Sequence, residues 1–411
     1  MADKTNIPQG YRDSLLGIIP KDWEVKRLGE VCDIDKQSLS SSTDPEYEFY
    51  YISLSDVNSE RFEIRSSRQV FKTAPSRARR IIKKGDVVIS TVRPNLQAFI
   101  FIRENVKDVI VSTGFAVLTP KKILGEYLFQ YLFSQLVTKQ FYQLVVGSNY
   151  PAVNSSDVSH LKISVPPLIE QQSIVSVISL WNTAIEKQSE LIEQLKLRKR
   201  ALMQQLLTGK KRLPEFSGKW KHVPIKSFAK EVSKRNVDGT NHIVLSCTKY
   251  DGLVPSLEYF GKQIYSNDLS SYKIIPQGHF AYATNHIEEG SIGYQSNYEN
   301  GLISPMYTVF VTNKEKVNDI FLYAVLKSHY LIYLYKSMME GSINRRGGLR
   351  WDSFSTIKID LPTLEEQNAI ATLLVNVDKE IELANEKLAN LQSQKRGLMQ
   401  QLLTGKKRVI L

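Results

Sequence analysis

The stretch RALMQQLLTGKKRL at residues 200–213 returns almost unchanged as RGLMQQLLTGKKRV at residues 396–409. A match of this length is too long to arise by chance. Either one structural unit has been duplicated, or two copies of one partner are held in the same way. The match also extends backwards, because residues 166–213 align without gaps onto residues 362–409. The chain is therefore predicted to consist of two similar halves.

Both copies carry apolar residues at alternating spacings of three and four, the heptad pattern of a coiled-coil seam. The seam positions are Ile174, Ile178, Trp181, Ile185, Ile192, Leu195, Leu202 and Leu206, then Ile370, Leu374, Val377, Ile381, Ala384, Leu388, Leu391, Leu398 and Leu402. Gly209 and Gly405 mark the expected helix ends, and Thr363 with Glu366 predicts a capping box. Each helix should be about 57 Å long at 1.5 Å per residue. One helix cannot bury such a seam alone, so we predict an antiparallel coiled coil.

A block of mixed α/β pattern precedes each long helix. Strands are predicted at 87–92, 98–102, 109–119, 242–247, 279–284 and 306–312, and helical spacing follows at 126–145 and 318–339. The predicted fold class is α+β, with two mixed α/β domains, two long helices and a pseudo-two-fold internal repeat. The predicted regions are a first domain (1–165), a central helical spacer (166–212), a second domain (213–361) and a C-terminal helical spacer (362–411).

The composition favours an anionic partner. The 411 residues carry a formal net charge of +12 with a pI near 9.3, which is typical of proteins that bind nucleic acid. The two cysteines, Cys32 and Cys247, lack metal-ligand spacing and do not form a disulfide framework. The N-terminus is polar, and no apolar run reaches the roughly 20 residues of a membrane helix. These features predict a cytoplasmic protein that does not bind membranes.

Several motifs resemble the specificity subunit of type I restriction–modification systems. They are the P-x-L-x-E-Q-x-x-I sequence at 166–174 and 362–370, the helix seam, and the LMQQLLTGKKR ending. The W-x-x-x-x-L-G-E-V sequence at 23–31, KGDVVISTVRPN at 84–95 and GSNYPAVNSSDVSHLKISVP at 147–166 add to it. The resemblance covers essentially the whole chain.

The resemblance implies a subunit that recognises DNA but performs no chemistry. Two target-recognition domains would each read one half of a split, asymmetric site in double-stranded DNA. The helical regions would space the domains and dock two modification (methyltransferase) subunits, and restriction (translocase and nuclease) subunits would join the complex for phage defence. No cofactor would bind to this chain directly; S-adenosylmethionine, ATP and Mg²⁺ are expected in the partner subunits.

Eleven residues in predicted loops are candidate DNA contacts. They are Arg93, Asn95, Ser148, Asn149, Tyr150, Asn285, His286, Asn344, Arg345, Arg346 and Arg350. Arginine can bind guanine O6 and N7, and asparagine can bind adenine N6 and N7, with two hydrogen bonds each. The alternatives are a phosphate or surface carboxylate partner for Arg93, core packing for Tyr150, a plain strand-end turn at 285–286 and a disordered basic loop at 344–350.

Two further basic stretches have open interpretations. Residues 77–86 are either a phosphate-binding edge or a solvated charged face. The KKR sequences at 210–212 and 406–408 contact phosphates or acidic partner surfaces, or they compensate the charge at a helix C-terminus.

Enzymatic motifs are not recognisable in the sequence. The nearest match to an N/D-P-P-Y/F tetrapeptide is VPPL at 165–168, which lacks the amide or acid, and TGKKR lacks P-loop spacing. The six histidines show no zinc-binding pattern. Two alternatives to a DNA-reading subunit stay open: a coiled-coil scaffold whose domains bind proteins, and an autonomous nuclease or methyltransferase with unfamiliar motifs.

Overall fold

The computed structural model describes residues 7–58, 63–145, 151–340 and 348–409. The chain divides into two compact units. Unit 1 comprises Met1–Ser189 with Lys387–Leu411, and unit 2 comprises Glu190–Glu386. Each unit therefore contains one of the two blocks and a part of both long helices.

The strands of unit 1 are β1 (Tyr11–Arg12), β2 (Ile19–Pro20), β3 (Glu24–Arg27), β4 (Cys32–Ile34), β5 (Glu48–Ile52), β6 (Val57–Asn58), β7 (Glu63–Ile64), β8 (Ser67–Val70), β9 (Ala78–Ile81), β10 (Val87–Ser90), β11 (Phe99–Phe101), β12 (Val109–Ser112), β13 (Phe115–Pro120) and β14 (Lys162–Val165). Its helices are α1 (Leu28–Val31), α2 (Gly125–Leu132), α3 (Gln135–Val145), α4 (Ser155–His160) and the first part of α5 (Leu168–Leu206).

The strands of unit 2 are β15 (Lys221–Pro224), β16 (Ala229–Val232), β17 (Ile243–Thr248), β18 (Gly252–Pro255), β19 (Lys273–Pro276), β20 (Phe280–Ala283), β21 (Ile292–Tyr294), β22 (Asn300–Ile303), β23 (Tyr307–Thr312) and β24 (Lys358–Leu361). Its helices are α6 (Ser256–Phe260), α7 (Asp319–Leu326), α8 (His329–Glu340), α9 (Trp351–Phe354) and the first part of α10 (Leu364–Leu403).

The two units share one topology. An antiparallel sheet has the order β11-β10-β13-β4 in unit 1 and β21-β20-β23-β16 in unit 2. A second sheet has the order β8-β5-β12-β9 or β18-β17-β22-β19, and its central pair is parallel in both units. A two-stranded pair, β3 with β14 or β15 with β24, precedes the start of a long helix. The internal repeat is confirmed and includes the blocks, whose sequences align poorly.

Two predicted elements are interrupted in the structure. The strand predicted at 109–119 is wrong as a single element, because Thr113 and Gly114 form a turn that places β12 and β13 in different sheets. The helical spacing at 126–145 and 318–339 is divided between two helices each. Ser134 and Ser328 separate them, and each hydroxyl accepts a hydrogen bond from an amide three residues later, at 3.4 Å. A serine that satisfies a free amide in this way starts a new helix.

The antiparallel coiled coil is confirmed. Helices α5 and α10 have 39 and 40 residues, and every predicted seam residue is buried or half-buried. In unit 1, Ile174 near the start of α5 lies in one core with Leu402 near the end of α10. In unit 2, Leu206 at the end of α5 lies in one core with Ile370 near the start of α10. The start of each helix therefore packs with the end of the other.

Two lysines interrupt the seam at equivalent positions of the repeat. The Lys199 ammonium is paired with the carboxylate of Asp378. Lys395 is half-buried, and burial lowers the pKa of its ammonium below the ordinary value of 10.5 although Glu186 acts in the opposite direction. The charge of Lys395 therefore destabilises the folded seam.

We predict that Lys395→Met stabilises unit 1 at neutral pH by about 1 kcal/mol, because an apolar side chain suits this position better than a half-buried charge. Between the lowered pKa and 10.5 the unfolded chain binds more protons, so the stability of the parent protein rises with pH in that window. The advantage of the variant should therefore shrink as the pH rises. Urea unfolding at several pH values measures it. Lys387→Met, on an exposed position of the same helix, should change little, and an equal effect of both variants would contradict the prediction.

Candidate nucleic-acid interface

A buried carboxylate at the start of α5 organises unit 1. Glu170 accepts hydrogen bonds from the indole Nε1 of Trp23 at 2.9 Å and from the Arg408 guanidinium at 2.6 and 2.8 Å. The same guanidinium donates to both carboxylate oxygens of Asp22, at 2.9 and 2.8 Å, which holds the pKa of Asp22 below its usual value. Arg408, near the end of the second repeat copy, is thereby fixed to Glu170, near the beginning of the first copy.

Unit 2 contains the equivalent group. Glu366 at the start of α10 accepts hydrogen bonds from Trp220 at 3.2 Å and from the Arg212 guanidinium at 2.5 and 2.6 Å. Arg212 also donates to the carbonyl oxygen of Gly218 at 2.7 Å. The predicted capping box is wrong in one half. The amide of Glu366 does donate to the Thr363 hydroxyl at 3.4 Å, but the Glu366 carboxylate is used by Arg212 and Trp220.

We call these two groups the Glu–Arg–Trp clusters. They show the role of the arginine in each KKR sequence, at 210–212 and 406–408. The arginines Arg212 and Arg408 bind carboxylates inside their own units, whereas the four neighbouring lysines are exposed. Each arginine binds the glutamate of the other repeat copy. From the sequence, the KKR residues are expected to contact phosphates, to contact acidic partner surfaces, or to compensate the charge at a helix C-terminus. The sequence did not reveal this cross-pairing, although both members of each pair lie at matching positions of the repeat.

The glutamine beside each glutamate fixes the helix start to the block. Gln171 accepts a hydrogen bond from the Leu124 amide at 2.8 Å and donates to the Pro166 carbonyl at 2.8 Å. Gln367 accepts from the Asn318 amide at 2.9 Å and donates to the Pro362 carbonyl at 3.0 Å. Leu124 and Asn318 are the N-cap residues of α2 and α7. The E-Q dipeptide therefore joins each long helix to a helix of the block.

In unit 1 the structure brings two distant segments together at the end of β10. The amide of Val153 donates to the Thr91 carbonyl at 2.8 Å, and the amide of Arg93 donates to the Pro151 carbonyl at 2.7 Å. The TVRPN loop and the segment that follows residues 146–150 are therefore adjacent. Ser148, Asn149 and Tyr150 lie outside the described residues.

Arg93 and Asn95 are exposed at this edge. The loop forms a 3₁₀ turn at Pro94–Leu96, and the residues on either side of it, Arg93 and Gln97, have left-handed backbones with φ of 49° and 51°. A non-glycine residue in this region costs on the order of 1–3 kcal/mol and is concentrated at functional sites. The strain is consistent with a loop whose shape serves binding.

Unit 2 forms the matching edge at the end of β20. The amide of Leu349 donates to the Thr284 carbonyl at 2.9 Å, so the segment before α9 lies beside the loop that contains Asn285 and His286. Asn285 and Arg350 line one polar recess of 460 Å³ together with Lys273. Asn344, Arg345 and Arg346 lie outside the described residues.

Part of the basic stretch 77–86 is used within the fold. Arg80 is ion-paired with Asp35 at 3.0 Å, and the Arg79 guanidinium lies 4.9 Å from the centre of the Phe71 ring. These contacts support a structural role for both arginines and leave fewer positive charges in this stretch for a phosphate-binding edge.

Two further kinds of reactive side chain lie within the described ranges, a cluster of residues that could ligate a metal and the cysteine thiols. His286, Glu288 and Glu289 bring ligand atoms within 4.8 Å of one another on a short surface turn, a cluster to which we assign no metal. Burial raises the pKa of the Cys32 and Cys247 thiols to about 12, so neither is a ready nucleophile at neutral pH. In the part of the chain that the structure describes, none of the helices combines the length and apolar character of a bilayer crossing.

Comparison with known proteins identifies the class. The sequence profile described as the type I restriction modification DNA specificity domain matches this chain twice, over residues 20–197 and 221–393. Two copies of one specificity domain agree with the two units of common topology. The chain belongs to this family, as the sequence resemblance implied.

Relatives and solved structures of similar length support this. The type I restriction enzyme MjaVIII specificity subunit of Methanocaldococcus jannaschii is 25% identical over 423 residues, which cover 95% of this chain and 94% of that protein. A chain solved in work on complex assembly and conformational transition of the type I R-M system has a TM-score of 0.65 at 22% identity and covers 95% of this chain and 99% of its own. The HsdS subunit from Thermoanaerobacter tengcongensis has a TM-score of 0.57 at 21% identity, with coverage of 95% and 98%. The two structures share the fold.

We predict that Arg408→Ala destabilises unit 1 by about 3 kcal/mol, because the Glu170 carboxylate stays buried without its cationic partner. Lys407→Ala, one residue away and exposed, should lie within about 0.5 kcal/mol of the parent protein. Adding Glu170→Gln to Arg408→Ala should recover part of the loss, since the uncompensated charge is removed. Urea unfolding followed by tryptophan fluorescence reports on the cluster. Equal stability of the two single variants would show that Arg408 contributes no net stabilisation.

Proposed function

We propose that this DNA specificity subunit binds a split, asymmetric site in double-stranded DNA, with one half-site at the loop edge of each unit. One observation carries the proposal: the two units share their topology but present different side chains at the equivalent edge. Unit 1 offers Arg93 and Asn95 after β10, and unit 2 offers Asn285 and His286 after β20. Equal scaffolds with unequal reading groups suit two different half-sites.

The repeated helices supply the parts that do not read sequence. Two nearly identical helical regions offer two similar surfaces, and these would dock two methyltransferase subunits and, through the complex, the restriction subunits. The chain itself contributes no catalytic group. S-adenosylmethionine, ATP and Mg²⁺ belong to the partner subunits in this proposal, and the complex acts on DNA in the cytoplasm. The recognition domains are residues 1–165 and 213–361, and the spacers are residues 166–212 and 362–411.

The proposed contact residues come from two segments of the sequence in each unit. In unit 1 they are Arg93, Asn95, Ser148, Asn149 and Tyr150, and the described segment that begins at Pro151 is hydrogen-bonded to the Arg93 loop. In unit 2 they are Asn285, His286, Arg350, Asn344, Arg345 and Arg346. Arg93 and the asparagines would form the base-reading hydrogen bonds. The serine, tyrosine, histidine and remaining arginines would contact the sugar–phosphate backbone of the DNA.

The decisive experiment combines the purified chain with a modification subunit, S-adenosylmethionine and randomised duplex DNA, and then sequences the methylated product. We expect two unlike short motifs separated by a fixed spacer. Replacing residues 1–165 with the matching block of a relative should change one motif only. Methylation without the partner would identify the chain as the enzyme, and the absence of DNA enrichment would favour a protein-binding scaffold.

We predict that Arg93→Ala weakens binding by about 1–3 kcal/mol and relaxes the preference at a single base pair of one motif. A phosphate contact would instead weaken binding to all sequences and reduce the salt slope by about 1. Titrations at several salt concentrations against the target and single-base variants separate the two roles. Lys72→Ala, whose side chain is exposed and paired with Glu46 in the same unit, is the matched control for loss of one positive charge.

A further inference from the structure

The equivalent edges of the two units differ by one residue in a turn. In unit 1, Thr113 and Gly114 connect β12, which ends at Ser112, to β13, which begins at Phe115. In unit 2, three residues, Ser304 to Met306, connect β22 to β23. The two turns stand at the same place in the shared topology, beside the end of β10 or β20.

The short turn of unit 1 is closed. The amide and hydroxyl of Thr91 both donate to the Gly114 carbonyl, at 2.9 and 2.8 Å. A Cβ atom on Gly114 would lie 2.7 Å from Cδ1 of Leu54, so the leucine side chain fills the space beside the turn.

The longer turn of unit 2 leaves a cavity. Thr284, at the position of Thr91, still bonds to the turn, because its hydroxyl donates to the Met306 carbonyl at 3.1 Å. The Met306 side chain, however, is 64% exposed. Beside it lies a cavity of 280 Å³ whose lining residues include Tyr265, Tyr272 and Tyr307. Tyr272 is only 7% exposed, so a part of the cavity wall is formed by a buried residue.

Asn285 lies on the rim of this cavity. Its Oδ1 atom lies 3.3 Å from the Thr284 hydroxyl oxygen, whose single proton is shared between this oxygen and the Met306 carbonyl. Gly348 approaches so closely that a Cβ atom there would lie 2.4 Å from the same oxygen. Asn285 also lines the polar recess that contains Arg350. One oriented amide therefore stands between an aromatic cavity and a recess with a cationic side chain.

We propose that the Tyr265–Tyr272–Tyr307 cavity receives one nucleobase unstacked from the half-site that unit 2 binds. The inference rests on the proposed function. Tyrosine rings provide faces on which any base can stack, Asn285 can hydrogen-bond to the polar edge of the base, and Arg350 lies where a displaced phosphate needs a cation. Base edges in an intact duplex stay in the groove, whereas an unstacked base can leave the helix and enter a cavity.

The test uses DNA duplexes that contain the target sequence found in the methylation experiment. Each duplex carries one mismatch, or one abasic site, at one position of the unit 2 half-site. An extruded base must first lose its pairing, so a mismatch that already breaks the pair should bind about 10-fold more tightly at one position. An abasic site on the extruded strand at that position should lose the gain. Mismatches at all other positions should weaken binding.

Two variants test whether the base pair at which a mismatch tightens binding is the one whose base enters the cavity. Ser304→Tyr adds a large side chain to the cavity lining, and Met306→Ala shortens an exposed lining residue, a change that the fold tolerates because Met306 is 64% exposed. Both should abolish the mismatch gain while the unit 1 half-site is read as before. Val237→Ala, which shortens another exposed apolar side chain in unit 2, should retain the gain.

The outcomes separate this inference from the proposed function. If unit 2 reads a half-site but every mismatch weakens binding, or if Ser304→Tyr and Met306→Ala keep the gain, the cavity does not receive a base. If no half-site depends on unit 2, the proposed function itself fails.

Discussion

A buried glutamate that needs a cation is the constraint on which the structure depends. Glu170 and Glu366 are 3% and 1% exposed, and a carboxylate without a partner is too costly to bury at these positions. The partner in each case is the arginine three residues beyond the glycine that ends the opposite helix. The two helices must therefore be antiparallel, nearly equal in length and in one register. The heptad seam alone would tolerate a shift by whole heptads, whereas a guanidinium with two hydrogen bonds to one carboxylate does not.

Much of the architecture can be predicted from the sequence because it follows from periodic patterns and an internal repeat that is nearly unchanged at the helix ends. The seam positions, the antiparallel pairing and the existence of two α+β blocks all follow in this way. The boundaries within the blocks do not, since Ser134, Ser328 and Gly114 act through local hydrogen bonds that interrupt an otherwise continuous apolar pattern. The Trp23 and Trp220 partners of the glutamates are also invisible in the sequence, because a side-chain contact across 147 or 146 residues leaves no local signal.

The candidate interface shows the same division. The loops at 91–95 and 284–286 can be found because polar residues follow a buried strand. Their convergence with the segments at 151–153 and 348–350 depends on backbone hydrogen bonds between residues 58 to 65 positions apart. The difference between a closed turn with Leu54 and an open one with Met306 results from a single additional residue in unit 2. Small changes of length in one turn can thus alter a reading surface without altering the sheets below it.

The Glu–Arg–Trp clusters also bear on how such a chain changes over generations. Glutamate and arginine come from the repeated helical regions, and the side chain that both blocks contribute to the clusters is a tryptophan. A gene that exchanges one block for another, by recombination between its repeated segments, would retain both ion pairs if the incoming block brings a tryptophan at the same place. The first block also supplies Asp22, which gives Arg408 a second carboxylate, whereas Arg212 makes its additional bond to a backbone carbonyl. Replacement of the second block is therefore the exchange that leaves every charged partner of the clusters in place.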